Sequence, residues 1–149
     1  MINELNVIKG LADTILNSVN NYLPEDFTGI TEKQVLIDFP SVDQMPAGTM
    51  IYLQPNYAEY EALATTNDRS VFNISVFLLC KRDQRMNLTL KMYGYFNALF
   101  ECIRRSMDLG GVVDFTHIDN VEFYPAVEAN KNVMGAELSV ACEYTKDFD

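Results

Sequence analysis

Residues 69–107, RSVFNISVFLLCKRDQRMNLTLKMYGYFNALFECIRRSM, decide the fold. Alternation of period two puts Phe72, Ile74, Val76, Leu78 and Cys80 on one face of a strand running from Val71 to Cys80, with Asn73 and Ser75 opposite. Phe77 and Leu79 make the second face apolar as well, so one end of this strand is expected to be buried on both sides. A charged turn, Lys81 to Arg85, leads into a helix. In it Met92, Phe96, Leu99, Ile103 and Met107 recur at steps of four, three, four and four, one stripe that Tyr93 and Phe100 widen. Asp83 is the expected N-cap, Arg104 and Arg105 stand where cations suit the helix dipole, and Gly110-Gly111 is the expected stop. Such a stripe needs a sheet to lie on.

Toward the N-terminus, Ile8, Leu11, Ile15, Val19 and Tyr22 follow helical spacing, flanked by Leu5, Ala12 and Leu16, which predicts a first helix from Asn3 to Tyr22. Leu23-Pro24 ends it, because the residue before a proline is pushed out of the helical region. Lys33 to Phe39 alternates Val35, Ile37 and Phe39 against Gln34, Leu36 and Asp38, a strand closed by Pro40. Ser41 to Gly48 has turn chemistry, and Thr49 to Leu53 predicts a second strand ending at Pro55-Asn56. In Asn56 to Asp68, Tyr57, Tyr60 and Leu63 have helical spacing in a segment too short for a helix, so a loop with a helical turn is expected. Its tyrosines are either a protein contact or packed on their own domain.

Toward the C-terminus, Val112 to Asp119 has no clean periodicity, Asn120 to Tyr124 predicts a short strand, and Pro125 to Asn132 a polar turn. Val133 to Thr145 is the most regular strand: Met134, Ala136, Leu138, Val140, Cys142 and Tyr144 face one way, with Gly135, Glu137, Ser139, Ala141, Glu143 and Thr145 opposite. The last two strands should pair as a hairpin. The order is helix, strand, strand, long strand, helix, strand, strand. It predicts an α+β domain spanning 1–149: a mainly antiparallel, twisted sheet of about five strands with two helices packed on one face.

A chain of 149 residues can bury roughly two thirds of its unfolded surface as one domain, and 48% hydrophobic with 21% charged residues is an ordinary globular composition. Cys80, Cys102 and Cys142 are odd in number, far apart and on apolar sides of their elements, which reads as reduced, buried thiols. No charged and then apolar leader opens the chain, and no apolar run approaches the roughly 18 residues that span a bilayer. Neither export nor a membrane is expected, and the Asn73 and Asn87 glycosylation matches are read as chance. A net charge of −10 argues against gripping a nucleic-acid backbone. That charge is unevenly placed: residues 1–68 carry two basic and ten acidic side chains, residues 69–107 seven and two, and residues 108–149 two and nine. The basic island is either a solvated helix face or a surface of unlike patches that meets another copy head to tail.

No chemistry stands out. His117 between Asp114 and Asp119 has no second His or Cys nearby and matches no ligand spacing, so a surface or loop histidine is expected. No nucleophile elbow accompanies it. Glu122, Glu137 and Glu143 on the last hairpin read as a wet acidic face, and Gly110-Gly111 ends a helix rather than opening one, the wrong dipole end for an anion. We therefore expect no catalytic, cofactor-binding or metal-binding residues, and no enzyme.

The size, the element order, the Arg69 to Met107 unit and the closing Val133-Met-Gly-Ala-Glu-Leu-Ser-Val-Ala-Cys-Glu-Tyr segment resemble the tail terminator, or tail completion, proteins of long-tailed bacteriophages and related minor tail proteins of prophages. The resemblance covers nearly the whole chain and implies a role without naming residues. It implies a virion-assembly protein made in the host cytoplasm that caps the tail tube as a ring, its partners being further copies of itself (six in the ring), the tail tube protein and the head-tail connector. DNA would pass through that ring without specific binding, and an acidic lumen would repel its phosphates. The charge split adds candidate subunit contacts Lys81, Arg82 and Arg85 at the strand-helix turn, and the tyrosines of the expected 56–68 loop, Tyr57 and Tyr60, join them as candidates. A head-tail connector or minor capsid protein, and a non-catalytic ligand- or protein-binding module with a deep apolar pocket, are the alternatives.

Overall fold

The computed structural model describes residues 2–38, 48–128 and 130–147. Helix α1 (Glu4–Ser18) opens at a reciprocal cap in which the Asn3 and Asn6 side chains each accept the other's backbone N–H, at 3.0 and 3.2 Å. The expected helix to Tyr22 ends four residues early, tightening into a 3-10 turn over Val19–Tyr22. There the Asn20 side chain clamps Ile30 by donating to its carbonyl at 2.9 Å and accepting from its N–H at 2.7 Å.

Among the described residues, five strands form one mixed sheet in the order β1-β2-β3-β5-β4. They are β1 (Val35–Leu36), β2 (Thr49–Ala64), β3 (Asn67–Lys81), β4 (Phe115–Tyr124) and β5 (Val133–Asp147), with helix α2 (Leu88–Arg105) between β3 and β4. The α+β architecture and element order are as read from the sequence, but β1 runs parallel to β2, so the sheet is not wholly antiparallel. The expected strand over 33–39 shrinks to two residues because Gln34 is tied down: its amide donates to the Thr49 carbonyl at 3.0 Å and accepts from Thr31 N–H at 3.0 Å within a 3-10 turn. Phe39, Pro40 and the 41–47 part of the expected turn lie outside the described residues.

The larger correction is at 56–68, which is not a loop. It continues β2 and turns tightly into β3, pairing from Thr49↔Cys80 to Ala64↔Asn67. Two register shifts, at Asn56 and Leu63, each add a residue, and in the unbroken pairing between them Tyr57 and Tyr60 fall on opposite faces of the strand, so their spacing of three marks no helix. A third shift, at Asp119, hides the periodicity of β4, which begins at Phe115 rather than Asn120.

Both helices cover one face of the sheet, where Phe72, Ile74, Val76, Leu78 and Cys80 of β3 and Met134 to Tyr144 of β5 meet Leu11, Ile15, Met92, Leu99 and Ile103 in one hydrophobic cluster. The two-sided burial expected of β3 is present: Phe77 and Leu79 join Met50, Tyr52 and Leu36 on the other face, with the Tyr52 and Phe77 rings stacked at 4.7 Å. Helix α2 is capped by Asn87, which accepts from Thr89 N–H at 2.9 Å and Leu90 N–H at 3.3 Å, and not by Asp83. It stops at Arg105 with Ser106 as its cap, short of Gly110-Gly111, so Met107 leaves the apolar stripe and is 53% exposed. Gly94 is in the helix interior because the Phe27 ring lies where a Cβ would stand.

Candidate assembly surfaces

Two surfaces collect the residues singled out above. The first is the turn between β3 and α2. Asp83 accepts the N–H groups of Arg85 at 2.9 Å and Met86 at 3.3 Å, and receives the buried Lys91 ammonium at 2.9 Å, which also donates to the Lys81 carbonyl at 2.9 Å. The Lys91 hydrogen bond holds the Asp83 carboxyl well below the usual carboxylate range, at about 2. This staple fixes the turn and neutralises Lys91, leaving Lys81, half-buried, and Arg82 and Arg85, both exposed, to set its charge. Arg82 is also anchored: its guanidinium donates to the Lys131 carbonyl through Nε at 3.3 Å and Nη2 at 3.0 Å, and its N–H donates to the Asn132 carbonyl at 2.7 Å.

The second surface lies at the far end of the β2–β3 hairpin. Tyr57 and Tyr60 are each 49% exposed. The Tyr60 hydroxyl hydrogen-bonds Glu4 at the start of α1, and Lys146 pairs with that carboxylate at 2.9 Å while standing 5.3 Å from the Tyr60 ring centre. Tyr60 therefore ties its own strand to α1 and stays half-open. Glu59 and Glu61 flank it along β2 with side chains on the opposite face, Asp68 stands on the adjacent strand, and Arg69 bonds Glu143 at 2.7 Å. The structure thus does not bring the five candidate contacts together: Arg69 and Lys81 are twelve residues apart on one strand, about 40 Å.

The helix-free face of the sheet carries carboxylates on three of its four long strands: Glu59 and Glu61 on β2, Glu137 and Glu143 on β5, Asp119 and Glu122 on β4, while β3 contributes Arg69, Asn73 and Ser75 between them. Glu122 and Glu137 are direct cross-strand partners, a like-charge pairing that would destabilise the hairpin without mediation. Tyr124 and Ser75 supply it. The Tyr124 hydroxyl donates to Glu137 at 2.7 Å and lies 3.1 Å from Glu122, and Ser75 donates to the other Glu137 oxygen at 3.0 Å. The hydrogen bond to Glu137 pushes the Tyr124 phenol above its ordinary value. Reading the sequence located Glu122, Glu137 and Glu143 on this face, but missed Glu59, Glu61 and Asp119 because all three lie in segments whose alternation the extra residues at Asn56, Leu63 and Asp119 break.

His117 stands on β4, not in a loop, with Nε2 2.6 Å from Asp119 Oδ1 and both side chains over a third exposed. Asn73 also donates to Asp119, at 3.3 Å, so the carboxylate is engaged from two sides. With Phe100, Arg104, Met107 and Phe115, His117 lines an open groove of about 380 Å³ beside the edge of β4. The three cysteines are buried, and burial pushes each thiol up to about 12, which leaves none as a thiolate at neutral pH. Of the two chance glycosylation matches, Asn73 is 2% exposed and Asn87 is occupied in capping α2.

No protein-family model and no curated protein matches the chain. Solved structures similar to it include the following two. One is the sheath/tube terminator, in its extended state, of the extracellular contractile injection system PVC: 13% identity and a TM-score of 0.41 over 99% of this chain and 58% of that one. The other is a chain of the virion of a native gene transfer agent particle: 13% identity and a TM-score of 0.39 over 91% of this chain and 98% of that one. The chain thus spans 58% of the length of the first. At these values neither match assigns it a role.

Proposed function

We propose that this chain is a non-catalytic structural protein of virion assembly, which caps a phage tail tube as a ring of copies, six by the family resemblance, and prepares it for joining to the head. The observation that carries the reading is the helix-free face of the sheet, with the carboxylates of β4 and β5 on it, Asp119, Glu122, Glu137 and Glu143. Turned toward a channel, such a face repels phosphates and lets DNA slide past without holding it. Support comes also from the element order, on which the resemblance of the sequence to tail terminators rests and which the fold has. The partners are then the tail tube on one side and the connector on the other, and the location is the virion, after assembly in the host cytoplasm.

Native mass spectrometry over a range of protein and salt concentrations tests this. The expected result is a closed oligomer, six copies foremost, that loosens as salt rises. A strict monomer under every condition removes the ring, and an oligomer whose channel wall, by electron microscopy, is the helix face removes the role given to the carboxylates.

A further inference from the structure

The two candidate surfaces bear opposite charge and lie at opposite ends of one hairpin, and we propose that they bind each other between copies: the acidic, tyrosine-bearing end of β2 in one copy seats on the basic turn before α2 in the next. This rests on the ring reading above and adds which acidic residues the basic turn meets.

Charge carries the argument. At the hairpin end Glu4 is paired with Lys146 and Glu143 with Arg69, so Glu59, Glu61 and Asp68 set the sign. At the turn Lys91 is paired with Asp83 and Lys131 with Glu128, so Lys81, Arg82 and Arg85 set the opposite sign, with Asp26 the nearby acid beside Arg85. Like surfaces therefore repel, which disfavours a two-fold pairing of turn with turn or hairpin end with hairpin end, and unlike ones attract. Each surface also holds exposed apolar side chains that contact would cover: Tyr57 at 49% and Leu63 at 56% on one, Leu90 at 68% on the other. Beyond Leu53, moreover, β2 has no strand on its outer side among the described residues, so this end offers a free edge as well as charge. Because both surfaces belong to every copy, the contact is head to tail, and it closes into a ring when the turn per step divides a circle.

Two charge-reversed proteins test the pairing, Arg82→Glu with Arg85→Glu, and Glu59→Lys with Glu61→Lys, each checked for native circular dichroism. Each alone should lose assembly, with the dissociation constant raised tenfold or more. Mixed in equal amounts they should assemble to the wild-type stoichiometry, because each supplies the sign the other lacks. If both fail alone and the mixture also fails, the pairing is overturned while a ring built on other contacts stands. If either assembles normally alone, or if the wild type never assembles, the pairing is overturned. Should a reversal not fold, the glutamine versions of the same four positions take its place, with assembly expected to lose its salt sensitivity; unchanged sensitivity overturns the proposal.

Discussion

The two halves of β2 have the same partner and opposite surroundings. From Thr49 to Leu53 every residue is at most 4% exposed, whereas from Tyr57 to Ala64 none is buried. Both halves pair with β3. The first half has β1 on its outer edge and buried apolar side chains on both faces; the second has, among the described residues, no strand on that edge and no buried side chain, and is kept extended by β3, itself held along its whole length by β5. A strand therefore forms where its pairing partner is fixed, whether or not its own side chains are buried. The first half supplies stability and the second supplies surface.

That contrast can be broken at several points. Leu53→Ala, in the buried half, should lower the unfolding free energy by about 3 kcal/mol through lost burial and a residual cavity, measured by urea denaturation. Asp83→Ala removes the carboxylate partner of the buried Lys91, which pins the end of β3 that pairs with this half, and should cost about 2 kcal/mol. The pH dependence follows from the same pair. With the folded pKa of Asp83 held at about 2, below its unfolded value, its contribution is complete above the unfolded pKa and is lost as pH falls through the folded one. Unfolding measured between about pH 5 and pH 2 should therefore show a shallower acid loss in Asp83→Asn than in the wild type. In the exposed half, Tyr60→Phe gives up only the bond to Glu4 and should cost about 1 kcal/mol or less. Leu63→Ala should stay within about 0.5 kcal/mol of wild type. A large loss there would mean that this half is packed in the isolated chain, and the surface role given to it would fail.

Legibility tracked the regularity of alternation. β5 and the core of β3 were readable because Met134 to Tyr144 and Phe72 to Cys80 alternate without interruption, and their dry faces are where the pattern places them. The ends of β2 and β4 were not, since one extra residue at Asn56, Leu63 or Asp119 exchanges the two faces and no local signal marks it. The end of α2 was misjudged for a different reason. Met107 continues the apolar period, but Ser106 caps the helix at the Ile103 carbonyl, at 3.2 Å, and backbone geometry overrides spacing.

The sequence by itself determined the α+β class, the order of elements, the covered face of the central strand and the basic island between two acidic flanks, because these follow from side-chain period and charge along the chain. Only the tertiary structure decided that β1 lies parallel to β2, that residues 56–68 are two strand ends joined by a tight turn, and that Tyr57 and Tyr60 stand an entire hairpin away from Lys81, Arg82 and Arg85. Those are matters of pairing and register. They depend on which edges meet across the fold, and no local run of residues carries that information.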